Sequence, residues 1–193
     1  MPIFQDYERY SKIMASSRTT GIKVRFPQLV SFIGQTGAGK STLVKMLIDH
    51  QDSAAEERPT GTSKFPSPVT GSINDNIPTS GDVHLYSDPA TYISDKPILY
   101  ADCEGLDGGE NIPRGARFKI RDDAAPPASR SHSSHNDPNF RKKLRKATHS
   151  TQRDLAWANS PETRKREYAV TQLYPRLLYT FSDVVVFVLR NPK

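Results

Sequence analysis

The sequence contains one cysteine and no long apolar segment, and these absences limit the class of protein. Cys103 alone cannot form a disulfide within the chain or build a cysteine-based zinc site. The longest strongly apolar run, Val184 to Leu189, is far shorter than the roughly 20 residues that a membrane-spanning helix needs. The first residues, MPIFQDYERYSKIM, carry charges throughout and lack the apolar centre of a secretory signal. We therefore expect no transmembrane segment and a cytoplasmic location.

Apolar residues are scarce, and the positive charge is concentrated in one part of the chain. Only 35% of the 193 residues are hydrophobic, and the net charge is +6. Residues 106–168 contain 14 basic and 8 acidic residues, which accounts for the whole excess. Residues 107–165 within this window have few large apolar side chains, so little burial is available to offset the entropy of ordering them. We predict a long, disordered, low-complexity basic insertion there.

A compact basic cluster, RKKLRK at residues 141–146, lies in this insertion. Such clusters serve nuclear import or contact with polyanions, but most are simply solvated. No aromatic residues are interleaved with the charges for base stacking, so nucleic acid is not an expected partner. The cluster leaves a nuclear location as an alternative to a cytoplasmic one.

The order of predicted elements indicates an α/β fold. Residues 1–26 form an N-terminal extension with little pattern. From Gln28 the segment LVSFIG predicts a buried strand, and STLVKMLIDH after a glycine-rich loop predicts a helix. DVHLY, PILYAD and DVVVFVLR predict further strands. We expect a three-layer, mostly parallel sheet over residues 27–193, interrupted by the basic insertion.

The segment GQTGAGKS between the first of these strands and the helix matches G-x-x-x-x-G-K-[ST] in full. Glycines allow backbone N–H groups to face phosphate oxygens, and the start of the helix favours the same anion. Lys40 adds a positive charge for the β- and γ-phosphates, and the hydroxyl of Ser41 can bind Mg²⁺. The predicted nucleotide-binding residues of this P-loop are Gly34, Gln35, Thr36, Gly37, Ala38, Gly39, Lys40, Ser41 and Thr42.

A second candidate motif follows the strand ILYAD. Asp102 ends this strand, in the place from which an acidic side chain holds the metal of a P-loop enzyme through water. Asp102 and Gly105 also fit D-x-x-G, in which the Gly105 N–H contacts the γ-phosphate. We therefore predict Asp102 as a metal residue and Gly105 as a nucleotide-binding residue.

Together, GQTGAGKS and DCEGL resemble a P-loop GTPase of the translation-factor-related class. DCEGL is similar to the D-T-E-G-L of guanylate-binding proteins, a dynamin-related branch. The resemblance implies Mg²⁺ as cofactor, a guanine nucleotide as ligand, and hydrolysis of GTP in a switch or mechanochemical G domain. It also implies a threonine that binds Mg²⁺ and the γ-phosphate. Thr79 stands in the matching place, and Thr70 is the alternate. The competing interpretation of Thr79 is that Pro-Thr-Ser simply forms a turn.

Two catalytic groups of related GTPases have no counterpart here. Leu106 follows Gly105 where small regulatory GTPases carry a water-orienting glutamine, and Gly37 stands where guanylate-binding proteins place an arginine. Glu104 is the remaining local group that can act through water. The alternative interpretation is that Glu104 is an exposed loop carboxylate with no catalytic role. Lys40, Thr79 and Glu104 are thus the predicted catalytic residues, and hydrolysis is expected to need another chain.

The N/T-K-x-D element that recognises guanine does not occur in the sequence. In the fold order of related GTPases it would follow a further strand after DVVVFVLR, so we expect the chain to be the front part of a larger domain. The run Val184 to Leu189 is typical of a parallel strand covered on both faces, and as an edge it would invite self-association or a protein partner. The alternatives to a GTPase are a nucleotide-binding pseudoenzyme or interaction module, an ATPase, and a polyanion-binding protein.

Overall fold

The computed structural model describes residues 3–17, 24–53, 65–70, 82–108, 152–155 and 158–190. Its main sheet has four strands: β2 (Gln28–Gly34), β3 (Val83–Ser87), β4 (Ile98–Cys103) and β6 (Val184–Val188). The strand order is β3-β4-β2-β6. β2 runs parallel to β4 and to β6, while β3 pairs with β4 in the antiparallel sense. The predicted α/β architecture with a mostly parallel sheet is confirmed at this level.

Helices cover both faces of the sheet. Helix α2 (Lys40–Ser53) follows β2 and packs Val44 and Ile48 against Phe32 and Tyr100 on one face. On the other face, Leu178 packs against a cluster of sheet residues, Ile33, Ala101 and Cys103. Neighbouring residues of β2 point to opposite faces, so this strand contributes to both apolar clusters. The resulting three layers hold the carboxyl ends of β2 and β4 beside each other.

Leu178 belongs to a helical segment of mixed geometry that precedes β6. The segment begins with one turn of α-helix, α3 (Arg166–Tyr168), continues as a π-helix (Ala169–Leu173) and ends as α4 (Tyr174–Phe181). The sequence YAVTQLYPRLLYTF predicts a helix that Pro175 disturbs, and the structure has its irregular turn just before this proline. Pro175 lies near the start of α4, where a missing backbone N–H costs little.

The N-terminal residues contribute to the described structure. β1 (Ile3–Gln5) pairs antiparallel with β5 (Gln152–Asp154), and α1 (Arg9–Ser16) follows β1. The side chain of Arg9 donates from Nε to the Leu85 carbonyl oxygen of β3 at 3.1 Å. The basic insertion predicted over residues 107–165 thus contains a paired strand near its end, held by backbone hydrogen bonds that do not require apolar side chains. For residues 109–151 and 156–157 of this insertion, the predicted disorder lies outside the described residues.

β6 forms one edge of the main sheet. Its side chains Val184 and Phe187 are 51% and 63% exposed, so the described residues do not cover the strand on both faces. In the part of the chain that the structure describes, no helix combines the length and the apolar character needed to span a membrane.

Candidate functional site

The loop between β2 and α2 has the backbone shape that its glycines predict. Gly37 and Gly39 have φ angles of 73° and 95°, which side chains with a Cβ rarely adopt. α2 begins at Lys40, so the N–H groups of its first turn lie at the end of this loop. The structure therefore places a glycine-rich loop and a 14-residue helix at the carboxyl end of a parallel strand, where α/β proteins bind ligands.

Lys40 is directed back into the loop and is only 5% exposed. Its Nζ donates to the carbonyl oxygens of Gly34 at 3.1 Å and Gln35 at 2.9 Å. Burial lowers the pKa of Lys40, while the neighbouring Cys103, Asp102 and Asp107 act in the opposite direction. The site thus contains a largely desolvated cation whose unfavourable burial an anion would relieve.

Ser41 and Asp102 lie in direct contact. The Ser41 hydroxyl donates to Oδ2 of Asp102 at 2.7 Å, across a separation of 61 residues. Asp102 is fully buried near the end of β4, where its register partner is Phe32 of β2. Parallel pairing of these strands explains the contact, because it brings the P-loop and the end of β4 to the same edge.

The Ser41–Asp102 pair fits a Mg²⁺ site of the kind predicted. Mg²⁺ usually binds one or two protein groups and completes its shell with water and substrate phosphates. The described residues contain no group of three or more His, Cys, Asp or Glu that could hold a metal. The described residues therefore contain no metal site built from protein ligands alone. A Mg²⁺ ion that is bound partly by nucleotide phosphates does not need such a cluster of side chains. Thr79, the third predicted metal residue, lies outside the described residues, and the alternate Thr70 is exposed.

The residues after β4 lie on the P-loop. The Leu106 N–H donates to the Gly34 carbonyl oxygen at 3.1 Å. A Cβ on Gly105 would overlap the backbone N and Cα of Thr36, so only glycine allows this approach. The Thr36 hydroxyl is buried and has no hydrogen-bond partner among the described residues. The two predicted motifs are therefore packed into one site.

Glu104 is not an exposed loop carboxylate, so this alternative is wrong. It is 1% exposed, and both of its oxygens contact the guanidinium group of Arg166. The distance from Nη1 to Oε1 is 2.9 Å, and Nη2 contacts Oε2. A buried carboxylate needs such a partner, because desolvation of an unpaired charge is very costly.

Arg166 was not identified from the sequence. It lies in the run RKR near the end of the basic window, where charge alone does not distinguish it from its neighbours.

The remaining predicted P-loop residues lie in the loop or in the first turn of α2. Three of them are exposed, Gln35, Gly37 and Thr42, and three are partly buried, Thr36, Ala38 and Gly39. The structure thus brings the P-loop together with Asp102, Glu104 and Gly105 at one edge of the sheet.

Comparison with known proteins adds no family assignment: no family model, no curated protein and no solved structure matches the chain.

Proposed function

We propose that this chain binds Mg²⁺ and GTP at the P-loop and hydrolyses GTP to GDP and phosphate. The contact between Ser41 and Asp102 carries the proposal. A serine at the start of the P-loop helix and an aspartate at the end of a parallel strand are the two protein groups expected beside the metal of such a site. Their contact at 2.7 Å joins residues 61 positions apart, so it depends on the fold and not on the sequence of either motif alone.

The surrounding groups suit a triphosphate. Lys40 supplies the positive charge, and the N–H groups at the start of α2 favour an anion at the same position. In the proposed reaction the oxygen of water bonds to the γ-phosphorus, the bond from this phosphorus to the β–γ bridging oxygen breaks, and the proton that the water loses is released to solvent. Lys40 and the loop N–H groups stabilise the charge that develops on the phosphate oxygens. When bound, Mg²⁺ held beside Ser41 and Asp102 neutralises part of the same charge.

The proposed switch involves two segments. Triphosphate binding engages the Gly105 N–H and hydrolysis releases it, and the second segment, around Thr79, lies outside the described residues. The choice of guanine depends only on the resemblance of DCEGL to the guanylate-binding proteins. Adenine remains the alternative base, since P-loops bind the phosphates and not the base.

A second candidate is a nucleotide-binding module without hydrolysis. One observation favours it: both oxygens of Glu104 are engaged by Arg166, so this carboxylate does not face a water-filled space. Neither the glutamine nor the loop arginine of related enzymes is available to replace it. Single-turnover incubation with radiolabelled GTP distinguishes the two candidates, because a module binds GTP without releasing phosphate.

Ser41→Ala tests the proposed metal site. We expect Mg²⁺ to strengthen binding of a fluorescent GTP analogue to the unaltered chain, and this increment to be lost in Ser41→Ala. Ser182→Ala is the matched control. The Ser182 hydroxyl lies outside the P-loop and forms a hydrogen bond with the Ser31 hydroxyl, with 2.5 Å between the two oxygens. Equal Mg²⁺ dependence in all three proteins would contradict the proposal. Displacement of the analogue by GTP and by ATP gives the base preference.

A further inference from the structure

Arg166 joins two parts of the site that are distant in sequence. It precedes the π-helix on the approach to β6, whereas Glu104 follows β4, 62 residues earlier. Both ends of the guanidinium fork contact the Glu104 carboxylate. A bidentate pair of this kind fixes orientation as well as distance, which a lysine cannot reproduce.

Glu104 is joined to Gly105 by one peptide unit, so the anchoring of its side chain bears on the position of Gly105. Glu104 lies between Asp102, beside the proposed metal, and Gly105, whose Cα packs against the backbone of Thr36. A Cβ on Gly108 would lie 2.7 Å from Oε1 of Glu104 and 2.9 Å from Oγ1 of Thr36, so the far side of the loop also contacts this carboxylate. Movement of the Glu104 side chain would therefore displace the peptide that carries the Gly105 N–H.

The charge of Glu104 is a second reason why its partner matters. An uncompensated carboxylate next to the P-loop would oppose the binding of phosphate, and the effect would be strong because the group is buried. Arg166 offsets this charge from the helical segment before β6, through its two hydrogen bonds to the Glu104 carboxylate. A γ-phosphate, which adds negative charge on the Gly105 side of the site, would be affected more than a diphosphate.

We propose that Arg166 is a positioning residue that acts through Glu104 and sets the preference of the site for nucleoside triphosphate over diphosphate. The inference rests on the proposed function. It assigns to Arg166 the role of holding the Gly105 N–H where the γ-phosphate arrives, with no contact between Arg166 and the nucleotide.

Arg166→Ala and Arg166→Lys test this role by calorimetric titration with GDP and with a non-hydrolysable GTP analogue, both with Mg²⁺. We expect Arg166→Ala to lower the ratio of triphosphate to diphosphate affinity about tenfold, because GDP affinity falls less than triphosphate affinity. Arg166→Lys keeps the charge but not the fork, so an intermediate ratio is expected. Arg164→Ala is the matched control, because Arg164 donates from Nε to the Ala158 carbonyl oxygen and not to Glu104.

A role confined to stability would lower the melting temperature and leave the affinity ratio unchanged in Arg166→Ala, and this outcome overturns the inference. If Arg166→Ala does not fold, the double variant Glu104→Gln with Arg166→Ala removes the buried charge; a reduced ratio supports the inference, and an unchanged ratio overturns it. Failure of the unaltered chain to bind any nucleotide would overturn the proposed function together with the inference. Nucleotide binding with an unchanged ratio in the variants would overturn only the inference.

Discussion

Gly105→Ala tests the packing of the two motifs against each other. The Cβ of alanine would overlap the backbone N and Cα of Thr36. Backbone atoms cannot rotate away as the end of a side chain can, so either the Thr36 segment or the residues after β4 must move. Movement of the latter would break the bond from the Leu106 N–H to the Gly34 carbonyl oxygen.

The expected cost follows from the character of this overlap. Adding a methyl group to a packed site costs roughly 1–3 kcal/mol, and a backbone overlap belongs at the upper end. We expect Gly105→Ala to lower the free energy of unfolding by about 3 kcal/mol, which is roughly a 150-fold change in the folding equilibrium. Gly108→Ala is the comparison variant: its Cβ meets the side-chain atoms Glu104 Oε1 and Thr36 Oγ1, and the Glu104 carboxylate is held by Arg166, so an intermediate cost of about 2 kcal/mol is expected.

Urea denaturation of the three proteins measures these costs, and amide hydrogen exchange locates the change. The Leu106 amide should exchange faster in Gly105→Ala than in the unaltered chain, because its acceptor is lost. Gly105→Ala with unchanged stability and unchanged protection of Leu106 would refute the described contact between the motifs. A cost for Gly108→Ala equal to that for Gly105→Ala would refute the distinction between backbone and side-chain overlap.

Two further predictions concern Cys103, which is buried, and Arg25, which is partly buried. Burial raises the pKa of the Cys103 thiol to about 11. Iodoacetamide should therefore label the native chain at pH 8 about 100-fold more slowly than the chain in urea. Equal labelling rates, measured by mass spectrometry, would contradict the burial of this thiol. The Arg25 guanidinium donates to the carbonyl oxygens of Ser17, Tyr92 and Ser94 at 3.0, 2.6 and 3.0 Å. Arg25→Ala should therefore lower the unfolding free energy by about 2 kcal/mol in urea denaturation, with partial recovery in Arg25→Lys; no loss would show that these bonds contribute nothing.

The P-loop and the end of β4 could be predicted from the sequence because their signals are local. The glycine spacing, the apolar strand before it and the helix after it all lie within residues 28–53. Asp102 follows from the same reasoning, since strand ends in a parallel sheet meet at one edge. The contact with Ser41 needed only the correct strand neighbours, which the α/β pattern indicates.

The burial of Glu104 could not be predicted in this way. A carboxylate in a loop is usually exposed, and the sequence contains many arginines that could pair with it. Only the helical segment before β6 brings Arg166, rather than another basic residue, to this position. Pairing of β1 with β5 was missed for a related reason: strands of three residues have no periodicity, and their stability comes from backbone bonds between distant segments.

Calorimetric titration of GTP with Mg²⁺ into the unaltered chain and into Lys40→Ala tests the central claim most directly. Lys45→Ala is the control, because Lys45 pairs with Asp49 at 2.9 Å on the same helix. We predict one nucleotide bound per chain, affinity at least about tenfold weaker in Lys40→Ala, and no change in Lys45→Ala. A folded chain that binds neither GTP nor ATP, or binds them equally well without the Lys40 ammonium group, would contradict the account.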